Sequence, residues 1–173
     1  MELYVERGFE QTTVAEIAKR AGLTERTFFR HFADKREVLF WGSASLQEHL
    51  VNAVASAPDS AAPIDAIAAA IEVAGVLLQE RREAARQRQT IIAVNTELQE
   101  RELIKLASLA SALAGALRRR GVSEPAASLT AEAGIAVFKV AFERWVTATD
   151  PQQELQQVIR TSLDELKAVT GAG

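Results

Sequence analysis

Between Thr13 and Leu39 the apolar positions fall at helical spacing and are interrupted by residues that stop a helix and start another. Val14, Ile17, Ala18 and Ala21 share one face at i, i+3, i+4 and i+7. Thr13 precedes them and Glu16 stands three residues on, the spacing of a capping box that pairs two otherwise unbonded N–H groups. Gly22 supplies a left-handed stop, Leu23 returns to the core, and Thr24 caps a second short helix. In that helix Phe28 and Phe32 face inward, while Glu25, Arg26, Thr27 and Arg30 face out. The pattern predicts a helix-turn-helix, whose second helix is shaped to enter a DNA major groove. Upstream, Leu3, Tyr4 and Phe9 with Gly8 read as the tail of a first helix. Downstream, Asp34 with Glu37 makes a second capping box and opens a long helix to about residue 55, closed by the linker 56–63.

Beyond the linker the same spacing predicts four or five more helices. One runs from Ile64 to about Arg82, and a short one with a polar side from Glu83 to Val94. Thr96 with Gln99 makes a third capping box for a helix that ends at Arg118-Arg119-Arg120-Gly121, where cations complement the helix dipole. Ser123 to Ala148 is apolar almost all round and has to be covered on every side. Asp150-Pro151 restarts the chain, and the last helix repeats Leu155, Val158, Ile159, Leu163, Leu166 and Val169. The chain is therefore expected to be all-α, with about nine helices, the first one truncated. Residues 1–41 form an N-terminal three-helix helix-turn-helix domain, and residues 42–173 a helical domain for ligand binding and dimerisation.

Composition narrows the chemistry. There are no cysteines, which excludes disulfides and thiolate metal sites and fits a reducing cytoplasm. No 18-residue apolar run suggests a membrane span. His31 and His49 are too few for an imidazole metal centre, and no nucleophile–base pair is apparent, so neither an enzyme nor a cofactor is expected. The net charge of −3 is unevenly spread. Lys19, Arg20, Arg26, Arg30, Lys35 and Arg36 face only Glu25 and Asp34 within residues 19–36, a local balance of +4 that leaves −7 elsewhere. A basic end for phosphates and an acidic body is the arrangement this implies.

The run GFEQTTVAEIAKRAGLTERTFFRHFADKREVLF resembles the N-terminal domain of TetR-family transcriptional regulators, with its Gly-Phe, its Thr before the second helix, its aromatic-x-His-Phe and its Lys-x-Glu. The resemblance implies a homodimer joined through its last two helices, reading an inverted-repeat operator in double-stranded DNA. Matched residue by residue, Arg26 would reach guanine O6 and N7. Glu25 would accept from cytosine N4 or merely offset Arg26. Thr24, Thr27 and His31 would serve phosphates, as would Thr13 and Lys35 at helix N-termini, with Arg30 on the same outward face. Phe29 stands where the family often has Tyr, which replaces a phosphate contact with an apolar one. Val14, Ile17, Leu23, Phe28 and Phe32 are assigned to the core. The family's first helix usually begins about ten residues earlier.

For the dimer seam the expected residues are Leu129, Ala133, Val137, Val140, Leu155, Ile159, Leu163 and Leu166. The stretch from Arg86 to Gly121 is similar to C-terminal domains of actinobacterial TetR-like regulators that bind acyl-CoA-like ligands. That likeness implies a small apolar or acyl-CoA-like effector lying among helices. Gln87, Thr90 and Asn95, with Gln89, would be its polar handles, and Phe138, Phe142 and Trp145 its apolar wall. Arg81, Arg82, Arg86 and Arg88 would meet CoA phosphates. Two rival readings remain: a dimeric helical adaptor or acyl-binding protein that has lost specific DNA binding, and a small enzyme on a helical bundle.

Overall fold

The computed structural model describes residues 1–171, and among them every regular element is helical. The order is α1 (Glu2–Arg7), α2 (Val14–Arg20), α3 (Glu25–His31), one 3-10 turn (Lys35–Val38), α4 (Ser43–Ser56), α5 (Pro63–Gln79), α6 (Arg82–Ala93), α7 (Thr96–Arg119), α8 (Glu124–Thr147) and α9 (Leu155–Thr170). The capping box at α2 forms as the spacing requires: the Glu16 amide donates to Thr13 Oγ1, and the Thr13 amide to the Glu16 carboxylate. Gly22 sits at φ 69, and the amides of Gly22 and Leu23 donate back to the carbonyls of Lys19 and Ala18. That double bond is a Schellman ending, which closes α2 within one residue. It turns the Leu23 side chain outward, 45% exposed, and Ala21 is exposed with it, so neither joins the core. Phe28 and Ala18 fill the small interior instead.

The long helix expected from Asp34 does not form. Asp34 does cap, accepting from the amides of Arg36 and Glu37, but Glu37 does not return the bond to close a box. Its carboxylate accepts from Arg101 and Lys105 of α7 instead. The chain makes one 3-10 turn, buries the consecutive Leu39 and Phe40, and swings through Gly42 at φ 91 before α4 begins. A side chain at Gly42 would strain that left-handed backbone. Two further starts also shift. Gln99 reaches the Ala93 carbonyl, Thr96 is already inside α7, and Asn95 occupies the cap without a side-chain bond. Asp150 closes a turn by accepting from the Gln152 amide, and α9 begins only at Leu155.

Two apolar clusters organise the packing. The larger holds α4, α5, α7, α8 and α9 together, with Trp145, Ile67, Ile71, Leu113 and Ile159 among its fully buried side chains. The smaller combines Tyr4, Phe9, Leu39 and Phe40 from the N-terminal part with Ile91, Ile92 and Leu98 from α6 and α7. Helix α6 enters both, through Ala85 and through Ile91 and Ile92. The stripe of α9 is covered by its own chain: Leu155, Ile159 and Leu163 are buried, Leu166 partly, and Val137 of α8 is buried too. Those residues are therefore not free for a partner. What stays open on α8 is Leu129 (72% exposed) and Val140 (46%), with Ala136 exposed and Ala133 half-buried between them.

Helices α5 and α8 cross where Gly134 meets Ile67. A Cβ on Gly134 would lie 2.2 Å from Ile67 Cγ2, too close without a backbone shift. Gly134→Val is expected to destabilise the fold by about 2–3 kcal/mol through overpacking. Gly115→Ala, whose Cβ would meet only arginine tips at 3.5 and 3.6 Å, should stabilise by roughly 0.5 kcal/mol. Denaturant titration of the two variants beside the parent protein measures both.

Candidate nucleic-acid interface

Helix α3 is held by two buried or half-buried rings on its inner side. Phe28 is buried and lies 5.1 Å from Phe32 and 5.5 Å, edge-on, from Phe29. This fixes the outer face, where Glu25, Arg26, Arg30 and His31 are exposed and Phe29 is 54% exposed. Thr24 Oγ1 accepts the Thr27 amide at 3.2 Å and pairs with the Thr27 hydroxyl at 3.1 Å, so the two threonines first serve as the cap of α3. His31 Nε2 stands 3.4 Å from an Arg30 guanidinium nitrogen. The ion pairs of the head are Arg7–Glu16, Arg20 with Glu2 and Glu6, and Arg36–Asp34. Arg26 and Glu25 stand outside them, so Glu25 does not offset Arg26 by direct pairing.

Several cations counted toward the basic face turn out to be engaged within the fold. Lys35 donates its ammonium to the carbonyls of Phe9 (2.9 Å), Glu10 (3.2 Å) and Thr12 (3.1 Å), and sits over the Phe9 ring. An ammonium has three donors, and these carbonyls use all of them. Lys35 is expected at a helix N-terminus whose N–H groups favour phosphate; its ammonium is committed within the head, and contact of that group with DNA would have to break this clamp. Thr13 is similarly engaged, with its amide and hydroxyl both on Glu16. Arg20 faces Glu2 and Glu6, and Arg36 faces Asp34 and, at 3.7 Å, Glu97 of α7. Lys19, Arg26 and Arg30 are the head cations left exposed outside those ion pairs.

The segment between α3 and α4 joins head to body. The Tyr4 hydroxyl donates to the Lys35 carbonyl at 2.5 Å, and burial, then the nearby Asp34 charge, pushes its pKa well above the usual phenol range. Burial alone would raise the Glu37 carboxyl, but hydrogen bonds and charge from Arg101 and Lys105 outweigh it and hold it below the ordinary 4.5. Arg88 of α6 donates Nε to the Leu39 carbonyl and Nη1 to Glu102, each at 2.8 Å, with its guanidinium 4.8 Å from the centre of the Phe40 ring. Sequence reading missed this junction, because each member looks like an ordinary charge on a helix face.

The residues expected to bind an effector are not brought to one cavity. Phe138, Phe142 and Trp145 form a ladder at 5.9 and 5.8 Å inside the main core, and the Trp145 indole donates to the Gln153 carbonyl. The side chains of Gln87 and Thr90 bond within α6, to Glu83 and Arg86, and Asn95 bonds back to the Ile91 carbonyl of the same helix. An open groove of about 600 Å³ lies elsewhere, between α5 and α9, lined by Asp65, Ala68, Glu72, Val76, Arg160 and Lys167. Of the arginines expected to meet CoA phosphates, Arg81 is exposed, while Arg82, Arg86 and Arg88 are engaged within the fold. Arg82 donates to the carbonyls of Trp145, Ala148 and Asp150, and Arg86 to those of Val146 and Ala148, which together satisfy the end of α8. Gln89, the remaining expected polar handle, keeps a buried Oε1 without a partner among the described residues.

Comparison with known proteins agrees with this architecture. Residues 1–40 match the family described as bacterial regulatory proteins, tetR family, and residues 61–171 match the MftR C-terminal domain. The chain is 37% identical over 70 residues to the HTH-type transcriptional regulator TcmR of Streptomyces glaucescens, a match covering 40% of this chain and 31% of that protein. It is 26% identical to a protein assigned as the mycofactocin biosynthesis transcriptional regulator MftR of Mycobacterium tuberculosis, over 100% of this chain and 86% of that protein. Among solved structures, Thermus thermophilus FadR, a TetR-family transcriptional repressor in complex with lauroyl-CoA, superposes with a TM-score of 0.55 at 23% identity. That superposition covers 96% of this chain and 88% of FadR. The TetR-family regulator PfmR, also from Thermus thermophilus, gives 0.51 at 22%, covering 94% of this chain and 91% of PfmR. At such identities the structural likeness bears on fold alone.

Glu37→Gln removes one charge from the junction. At pH 7 the substitution is expected to cost about 1 kcal/mol of stability. The folded-state pKa of Glu37 is depressed, so its contribution is complete above the ordinary 4.5 and is lost as pH falls through the lowered folded value. Denaturation of both proteins across pH 7 to 2.5 should show the gap closing at the acid end; a gap independent of pH would contradict the assignment.

Proposed function

This chain belongs to the TetR family of bacterial regulatory proteins, and on that premise we propose that it is a repressor that binds an inverted-repeat operator as a homodimer and is released by a small apolar or acyl-CoA-like effector. The observation that carries the reading is the outer face of α3, where Arg26, Phe29, Arg30 and His31 project together from a helix whose inner side is locked. Arg26 reads guanine through its planar fork, a contact worth about 1–3 kcal/mol against the wrong base. Phe29 meets a thymine methyl or sugar. Arg30 and His31 hold phosphates, with Thr24 and Thr27 able to add theirs, and Glu25 accepts from cytosine N4. The stripe Leu129, Ala133, Ala136 and Val140 on α8 has the four-three-four spacing of a helix seam and pairs with its copy. Two-fold pairing sets the recognition helices one helical turn apart, roughly 34–36 Å. The protein works in the cytoplasm and is not an enzyme.

The effector class is taken from FadR, whose fold the chain shares and whose structure contains lauroyl-CoA. Gln89 Oε1, buried and unpartnered, is the acceptor such a ligand would use as the core opens around it. Release requires the ligand to favour a state in which the two heads no longer match the operator. The adaptor reading draws on a different observation, the internal pairing of Arg20, Lys35 and Arg36, which reduces the charge offered to DNA.

Selection from a random duplex pool separates the two. The regulator reading expects enrichment of an inverted repeat, with lauroyl-CoA lowering its affinity at least tenfold. Arg26→Ala should weaken that duplex about tenfold to a hundredfold and relax preference at one position of each half-site. Weak binding without enrichment, equally lost to salt for every sequence, would favour the adaptor. Enrichment untouched by lauroyl-CoA would retain the repressor and remove the effector class.

A further inference from the structure

We infer that Arg88 is a positioning residue for DNA reading: it fixes where the helix-turn-helix stands relative to the body, and thereby the half-site spacing that two copies accept. The inference rests on the operator-binding dimer proposed above. Its starting point is α6, which enters both apolar clusters. At one end, Arg82 and Arg86 hold the terminal carbonyls of α8. Toward the other end, Arg88 is three-quarters buried and makes three different contacts with its one planar group: the Leu39 carbonyl, the Glu102 carboxylate and the Phe40 ring. A guanidinium so held has little rotational freedom, and its charged bond to Glu102 anchors it to α7.

Leu39 and Phe40 precede Trp41 and the left-handed turn at Gly42, and they belong to the same short segment that holds the head together. Lys35, at its start, ties the end of α1 to the entry of α2, and the Tyr4 hydroxyl donates to the Lys35 carbonyl. Glu37, in its middle, is bound by Arg101 and Lys105. Besides the apolar packing of Tyr4 and Phe9 on Ile91, Ile92 and Leu98, the head meets the body through a short segment, residues 35–40, whose polar fastenings are Glu37 to α7 and the Leu39 carbonyl to α6. Of these fastenings Arg88 is the one on the helix that is also tied to the end of α8, the helix carrying the exposed stripe. Removing its fork leaves the Glu37 pairs with α7 at one point of the segment and, on the α6 side, only the apolar contacts of Ile91, Ile92 and Phe40, which fix distance more firmly than angle.

The test uses the full-length protein and the duplex that the wild type selects from a random pool, together with a version having one half-site scrambled and versions with one or two base pairs added or removed between half-sites. Arg88→Met keeps the aliphatic stem and deletes the fork. It is expected to bind the single half-site within about twofold of wild type, to lose about tenfold on the full site, and to bind neighbouring spacings nearly equally. Arg88→Lys, which can still donate one bond, should fall between the two. Equal losses on single and full sites, or an unchanged spacing preference, would overturn the inference. If Arg88→Met fails to fold, Glu102→Leu removes the fork's acceptor on α7 without touching Leu39 or Phe40, and an unchanged spacing preference there overturns it equally. A wild type that selects no duplex fails the operator reading itself, which is a different result.

Discussion

The carbonyls of Phe9, Glu10 and Thr12 fall between α1 and α2, outside any helix, where the Phe9 carbonyl takes a turn bond from the Thr12 amide and a partly buried carbonyl needs a donor. Lys35 pairs all three from across the head, with its stem packed so that the ammonium also sits over the Phe9 ring. Much else follows from that placement. The Lys35 backbone must run beside α1, which brings its carbonyl to the Tyr4 hydroxyl. Asp34 is then positioned to cap the 3-10 turn, Glu37 faces α7, and Leu39 and Phe40 enter the cluster formed with α6. One ammonium thus fixes the head internally and determines which residues face the body.

The same placement explains why local charge was a poor guide to the DNA-facing surface. Six cations between residues 19 and 36 look like a phosphate-binding patch, yet three of them are paired within the molecule, Arg20 and Lys35 with groups distant in sequence and Arg36 with Asp34 beside it and Glu97 of α7. What remains outward is concentrated on α3. A surface with few free cations depends more on direct contacts to bases and on two-fold placement of its heads than on a diffuse positive field.

Legibility in the sequence followed the range of the interactions. The α2–turn–α3 unit was readable because each of its signals is local: Thr13 with Glu16, the stop at Gly22, Thr24 with Thr27, and the rings of Phe28 and Phe32 one turn apart. The helix breaks were harder. Asp34 caps as its spacing implies, but Glu37 prefers partners on α7 that lie more than sixty residues away, and only the fold reveals the competition. Periodicity showed that α9 has one covered face without saying what covers it, and the cover is α5 and α8 of the same chain, not a second copy. Likewise, Arg82, Arg86 and Arg88 read as a free cationic face, since an arginine that satisfies carbonyls has the same sequence signature as one in solvent.

Under the proposed operator binding, α3 enters the major groove twice, from two copies related by a two-fold axis. Hydroxyl-radical footprinting of the full-length protein on a genomic fragment that it enriches tests this directly. Two protected patches of equal strength, related by symmetry and centred about one helical turn apart or slightly more, are the predicted result. A single patch, or uniform weak protection along the fragment, would contradict it.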